Sequence, residues 1–354
     1  IRAAEYTSRP QLFAEGALAV DVWISPEELV TEYIAHLLEN PGALQVVDFA
    51  DGRVQLAGVQ ARREGLLVGK PLRLLREHLP GTDARVAAIY RNERLVKADG
   101  DAIIEENDEI FFVAARDDLR KMLAELRRSE PPMRRLVIAG GGSIGLRLAR
   151  RLEATAQVKL IERDARRAAR AAEILQHAIV LRGDAADEEL LIEENIDGAD
   201  VFAALTNSEE ANVMSAMLAK RLGAHRVMAL VNRPAYGELM EGRNIDVVIS
   251  PQTITIGSLL AHVRRGDVVR VHSLRRGSAE AIEVVVHGTA ESSRVVGRRV
   301  EAVDLPGGAS IIAIARGEQV IMAHHDTLIE AEDHVIVFLN DRRHVADIER
   351  LFQT

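Results

Sequence analysis

The residues whose types and spacing could do chemistry are three glycines and an acid. Gly140-x-Gly142-x-x-Gly145 follows the apolar run 136–139 and leads into a helix expected over 144–153. Gly140 suits a tight turn, Gly142 leaves room for a pyrophosphate, and Gly145 lets a helix lie close on a sheet. Free N–H groups at the helix start, around Ser143 and Ile144, would meet the phosphates, where the helix dipole favours anions. Glu162 stands about twenty residues beyond Gly142, where a carboxylate can accept from both ribose hydroxyls and repel the extra phosphate of NADP. A glycine triplet alone is an ordinary strand-to-helix turn. With a strand before, a helix after and an acid at this distance, it predicts nucleotide binding.

Such a turn needs a particular scaffold. Strands expected at 136–139, 158–161, 178–182, 200–205, 226–231 and 246–249, separated by helices, give a Rossmann-type α/β fold with a right-handed doubly wound parallel sheet. Thr206 and Asn207 then end the fourth strand beside Gly140, with polar atoms expected to face the crevice. Asp184, at the end of the third strand, could accept from an adenine amino group or cap the next helix. Arg163 could lie over the adenine face as a planar cation or be a solvated arginine. Asn232 and Arg233 end the fifth strand and could reach phosphates or a neighbouring subunit.

The chain has 354 residues, a net charge of −9, a pI near 5.7, 3% aromatic residues and no cysteine. That length allows two or more domains with sizeable cores. The acidic balance and few rings argue against a nucleic-acid platform, and the missing thiols exclude disulfides, thiolate metal sites and a cysteine nucleophile. No apolar run is long enough for a membrane span, and no signal peptide is seen. The first residue is Ile1, from which a fragment of a longer chain is expected. Arg147, Arg150, Arg151, Arg163, Arg166, Arg167 and Arg170 are interspersed with acids and read as a solvated helix face. His324 and His325 would point to opposite faces of a strand, so no metal site is expected there.

A dehydrogenase would need a proton donor or acceptor at the nicotinamide end. No tyrosine is followed four residues later by lysine, so no catalytic residue is assigned and an NAD-dependent oxidoreductase stands only as the alternative. A purely structural module is opposed by the intact glycine turn and acid.

The rest of the chain repeats itself. Ile-Ser-Pro at 24–26 returns at 249–251, Val-Gly at 68–69 returns at 296–297, Leu-Pro-Gly at 79–81 returns at 305–307, and IIEEND at 103–108 returns as LIEAED at 328–333. Near-constant offsets imply two copies of a small β-rich α+β lobe. Each copy follows a Ser-Pro cap and an apolar-striped helix: Val30, Tyr33, Ile34, Leu37 and Leu38 in the first, and Ile256, Leu259, Leu260 and Val263 in the second. Residues 136–230 have no counterpart before Ile1, so an absent first Rossmann lobe and one nucleotide per chain are expected.

The stretches 40–47 (NPGALQVV), 82–89 (TDARVAAI), 183–185 (GDA), Thr206-Asn207 with Glu210 and Asn212, 214–221 (MSAMLAKR) and 273–276 (SLRR) resemble the TrkA family. These are cytoplasmic nucleotide-binding regulatory subunits of bacterial Trk potassium uptake systems, made of tandem RCK (regulator of potassium conductance) domains. The resemblance implies four segments: 1–43 as the remnant of a first Rossmann lobe with its crossover helix, 44–130 as the first C-terminal lobe, 134–267 as the second Rossmann lobe with its crossover helix, and 268–354 as the second C-terminal lobe. It also implies NAD(H), or ATP or ADP, as ligand, with Ala185 beside Asp184 among the binding residues. The implied partners are a membrane-embedded potassium channel or transporter subunit of TrkH or TrkG type and further copies of the chain, as dimer or tetramer. The implied location is cytoplasmic, peripheral on the inner face of the membrane.

Overall fold

A computed structural model describes residues 24–78, 81–126, 133–233, 245–263 and 267–353. Helix α1 (Pro26–Glu39) is followed by β1 (Ala43–Phe49), β2 (Val54–Gln60), α2 (Leu75–His78), β3 (Ala84–Arg91), β4 (Arg94–Val96), β5 (Glu109–Ala115) and α3 (Arg116–Leu126). An alternating stretch comes next: β6 (Arg135–Ala139), α4 (Ser143–Leu152), β7 (Gln157–Glu162), α5 (Ala165–Ile174), β8 (Ile179–Arg182), α6 (Glu188–Glu193), β9 (Val201–Ala204), α7 (Glu209–Arg221), β10 (Arg226–Leu230) and β11 (Val247–Ile249). The chain then runs through α8 (Pro251–Val263), β12 (Val268–Leu274), β13 (Ala279–Val285), β14 (Ala309–Arg316), β15 (Gln319–Met322), β16 (His334–Leu339) and α9 (Val345–Phe352). Residues 1–23 of the expected remnant lobe and the helix expected between β10 and β11 lie outside the described residues.

Two compact units result, with one of the boundaries between them inside α8. The first holds α1 and the alternating stretch. Its six strands lie in the order β11-β10-β9-β6-β7-β8, all parallel. β6 is covered on both faces, with Leu136, Ile138 and Ala139 at 0% exposure, which is why its sequence is continuously apolar. The order reverses between β6 and β9, and a crevice at such a reversal is where ligands bind in open α/β sheets.

Helix α1 belongs to this unit. Ser25 accepts from the Glu28 N–H at 3.4 Å as N-cap, and Pro26 takes the first helical position. Val30, Ile34 and Leu37 are fully buried, and the helix packs on α4, with Glu28 3.7 Å from Arg147 and Glu39 3.8 Å from Arg151. The stripe that required a cover finds it within the same chain. Arg147 is therefore half-buried against an acid of α1, while Arg150, Arg151, Arg166, Arg167 and Arg170 are exposed as expected, Arg151 lying near Glu39 at the rim of the same contact. Burial of the apolar stripe, at about 1.5–3 kcal/mol per large side chain, outweighs these half-exposed ion pairs.

The second unit contains two five-stranded antiparallel sheets of one topology, β1-β2-β5-β3-β4 and β12-β13-β16-β14-β15. The Val-Gly pairs of the repeat sit in matching turns: Gly69 has φ +80° and Gly297 φ +76°, and their N–H groups donate to the Ile104 and Ile329 carbonyls at 2.7 and 2.9 Å. One face of each sheet enters a common core in which Phe49, Leu56, Phe111 and Val113 meet Leu274, Ala281, Ile336 and Phe338. The other face of the second sheet packs with Ile348 and Phe352 of α9. His324 and His325 follow β15 in a turn rather than lying in a strand, with the His324 N–H donating to Thr327 Oγ1 at 2.8 Å. The alternation argument applied to them therefore does not hold.

Candidate functional site

Each glycine between β6 and α4 has its own reason. Gly140 has φ +107°, and a Cβ there would stand 3.0 Å from the Leu205 carbonyl and the Thr206 nitrogen. Gly141 donates to Glu162 Oε2 at 2.8 Å, and a Cβ on it would press on the same carboxylate at 3.2 Å. A Cβ on Gly145 would collide with the Gly140 carbonyl oxygen. Gly142 differs from all three. Its φ of −74° suits any residue, and a Cβ on it would meet nothing within 4 Å. Among the described residues nothing requires glycine at 142, so the open space in front of it is the feature to explain.

The helix behind that space is also distinct. Asp164 caps α5 by accepting from the Arg167 N–H at 2.9 Å, Asp187 caps α6 through the Glu189 N–H at 3.0 Å, and Ser208 caps α7 through the Ala211 N–H at 3.2 Å. Helix α4 has Gly142 at its N-cap and no side-chain cap. The first N–H groups of a helix have no acceptor within it, so those of α4, with exposed Ser143 and half-buried Ile144 in its first turn, face open space under the positive end of the dipole. An anion fits there.

Glu162 closes one side. It is 7% exposed, and its two oxygens accept from the Gly141 and Asp164 N–H groups, each at 2.8 Å. A carboxylate offers about four lone-pair positions, which leaves capacity for a diol. Beyond it, the Arg163 guanidinium reaches to 3.9 Å from Asp184, both side chains mostly exposed. Asp184 accepts from the Ala186 N–H at 2.9 Å in a local turn, so the helix-capping role falls to Asp187 and the outer face of Asp184 is open. Ala185 packs against the sheet's core.

On the other side of the reversal the expectation for Thr206 needs correction. Its hydroxyl donates to Asn212 Oδ1 at 2.7 Å and meets the Ser208 N–H at 3.2 Å, its N–H donates to Asn212 Oδ1 at 2.8 Å, and its carbonyl accepts from Asn212 Nδ2 at 3.0 Å. The polar atoms of Thr206 are therefore spent on the protein. Asn207 is exposed and is the polar side chain that this turn leaves outward. The Arg233 N–H donates to Glu209 at 3.4 Å, and its side chain is exposed. Asn212 itself, at 0% exposure, was not assigned a role from the sequence. A signal existed: it shares a helical stripe with Ala216 and Ala219, where a polar residue stands on the core-facing side.

Comparison with known proteins finds matches along the whole chain. The TrkA-N domain matches residues 136–251, and the TrkA-C domain matches 59–127 and again 289–353. The Trk system potassium uptake protein TrkA of Vibrio alginolyticus is 55% identical over 354 residues, covering 100% of this chain and 77% of that protein. Its namesake in Halomonas elongata is 53% identical over 353 residues, with the same two coverages. Among solved structures, the crystal structure of the GsuK RCK domain superposes with a TM-score of 0.53 at 16% identity, over 98% of this chain and 73% of that one, a likeness of fold. With an uncapped glycine turn at the switch point of its TrkA-N lobe and two TrkA-C lobes in tandem, the chain belongs to the TrkA family.

Proposed function

We propose that the parallel-sheet unit binds one nucleotide with a free ribose diol, NAD(H) in the first place and ATP or ADP as further candidates, and that this ligand controls a potassium uptake system. The observation that carries the reading is the open space before Gly142 at an uncapped helix N-terminus. A pyrophosphate would lie on the α4 N–H groups, the ribose hydroxyls on Glu162, and the adenine between Arg163 and Asp184. The carboxylate of Glu162 disfavours the 2′-phosphate of NADP by charge repulsion. Regulation rather than catalysis is supported by the ends of β9 and β10, where Thr206, Asn207 and Asn232 offer no group suited to proton transfer near neutral pH.

The relatives named as Trk potassium uptake proteins support a membrane-embedded potassium channel or transporter subunit, of TrkH or TrkG type, as partner. Among the described residues no helix is long and apolar enough to cross a membrane. A cytoplasmic subunit held peripherally on the inner face therefore fits the reading. The ligand shifts the partner only by binding one arrangement of the lobes more tightly than another. Assembly into a dimer or tetramer is supported by α8, whose Ile256 and Leu259 are 44% and 46% exposed, whereas α1, its counterpart in the repeat, buries its stripe.

Calorimetric titration with NAD, NADH, ATP and ADP tests the reading. One nucleotide per chain is expected, with binding abolished in Gly142→Val and weakened roughly tenfold or more in Glu162→Ala, since a charge-assisted hydrogen bond contributes about 1.5–3 kcal/mol. Normal binding by a folded Gly142→Val variant would make the glycine turn structural only. Oxidation of NADH with a panel of ketones or aldehydes would favour an enzyme instead.

A further inference from the structure

Asn212 lies under the second half of the crevice, away from Glu162. It is fully buried and makes no use of its own helix for its side-chain bonds. Oδ1 accepts from the Thr206 N–H and hydroxyl at 2.8 and 2.7 Å, and Nδ2 donates to the Thr206 and Leu230 carbonyls at 3.0 and 2.8 Å. Thr206 follows β9 and Leu230 ends β10. One carboxamide thus fixes the carboxyl ends of both strands on the far side of the switch point to helix α7.

An apolar residue here would leave the Thr206 N–H and the Thr206 and Leu230 carbonyls without these partners, so the amide contributes to stability, and it does more than satisfy those groups. What it adds is geometry. With Thr206 held on three atoms, Ser208 is set in turn: its N–H donates to Thr206 Oγ1 at 3.2 Å, and its hydroxyl caps α7. Asn207 stands between these two anchored residues, and its side chain is exposed. The same anchoring keeps the Leu205 carbonyl and the Thr206 nitrogen against Gly140, on which any added Cβ would intrude.

We infer that Asn212 is a positioning residue for the second nucleotide half of a dinucleotide, acting by fixing the 206–208 turn so that the Asn207 amide meets that half. This rests on the nucleotide-binding reading above. In a doubly wound sheet the two mononucleotide halves lie on opposite sides of the reversal. Glu162, at the end of β7, serves the adenosine half, and Asn212 controls β9 and β10. Its loss should therefore separate the affinity for NAD from the affinity for AMP, which carries the adenosine half alone.

The test is calorimetric titration of the whole chain with NAD and with AMP, in the unaltered protein and in Asn212→Ser, Thr206→Val and Asn207→Ala. The expected result is roughly tenfold weaker NAD binding in Asn212→Ser with AMP binding unchanged within about twofold, and a smaller split of the same sign in the other two. Thr206→Val and Asn207→Ala change partly or fully exposed side chains, so they decide the matter if Asn212→Ser does not fold. Equal weakening of NAD and AMP in the variants would assign Asn212 a merely structural role and overturn the inference, as would unchanged NAD binding in all three. If the unaltered chain binds neither ligand, the nucleotide reading itself fails, and that outcome is distinct from the others.

Discussion

The two small sheets of the second unit share one topology and differ in what holds them to each other. Within each sheet the same fork recurs. Arg91 clasps Asp108 through Nε and Nη2 at 2.9 and 2.8 Å and reaches the Ile103 carbonyl at 2.8 Å; Arg316 clasps Asp333 at 2.8 and 2.8 Å and reaches the Leu328 carbonyl at 2.8 Å. Between the sheets the matching positions have diverged. Ala50 and Arg275 both open a short 3-10 turn with φ of 47° and 45°, yet Arg275 crosses to Glu109 at 2.7 Å and Glu93 at 2.5 Å with its guanidinium 3.7 Å over the Tyr90 ring. Ala50 offers only its N–H, at 3.0 Å, to buried Glu283, which also holds His334 at 2.6 Å. The fork serves the folding of each lobe. The junctions make the pair asymmetric, so two unlike lobes recognise one another.

Breaking the forks is expected to have the largest effect. Asp108 and Asp333 are 1% and 0% exposed, and either change to Ala leaves a half-buried arginine without its bidentate partner, held only by the more exposed Glu105 or Glu330. We expect each to lose about 3–5 kcal/mol in urea unfolding, the cost of breaking a buried pair, and the two losses to agree within about 1 kcal/mol. Clearly unequal losses would show that the two forks are not equivalent.

The junctions should respond unequally. Arg275→Met removes a nearly buried cation from two carboxylates and an aromatic face, with an expected loss of about 2–3 kcal/mol. His334→Gln keeps a donor beside Glu283 and should lose about 1 kcal/mol or less. Equal losses in the same unfolding experiment would remove the asymmetry argued from the geometry.

The sequence made the frame legible where local rules decide. Glycine spacing, strand runs and Ser-Pro caps located β6, α4, α1 and α8 within a residue or two, and the repeat anticipated two copies of one small β-rich lobe. What it left unread depends on partners distant in sequence. Arg147 read as solvated because the acid it meets, Glu28, lies on α1, more than a hundred residues earlier. Thr206 read as a ligand contact because the residue that claims its polar atoms, Asn212, sits one helical turn into α7 with its side chain directed back to the strand ends. Arg275 read as part of a family motif, and nothing in its neighbours indicated that it would lie on Tyr90.

Tyr90 sharpens the comparison through pH. It is 4% exposed, its hydroxyl donates to Asn340 at 2.6 Å, and burial pushes its pKa up to about 12 against the opposing pull of Arg275. The second sheet has Ala315 at the matching place, paired with His334 as Tyr90 is with Glu109, so only the first sheet carries this group. A phenol whose pKa is higher when folded than when unfolded adds stability that is fully present below about pH 10 and is lost as pH rises towards 12. At pH 11 the loss should be about 1.4 kcal/mol, one pKa unit. Tyr90→Phe removes the hydrogen bond to Asn340, at about 1 kcal/mol near neutral pH, and also removes the titrating group. The expected outcome is a stability gap between the two proteins that narrows above pH 9, closes a little below about pH 11 and is reversed at pH 11 and above, followed by urea unfolding at each pH. A gap that stays constant across this range would mean that Tyr90 is not held protonated by the junction, and the asymmetry of the two lobes would then rest on Arg275 and its carboxylates alone.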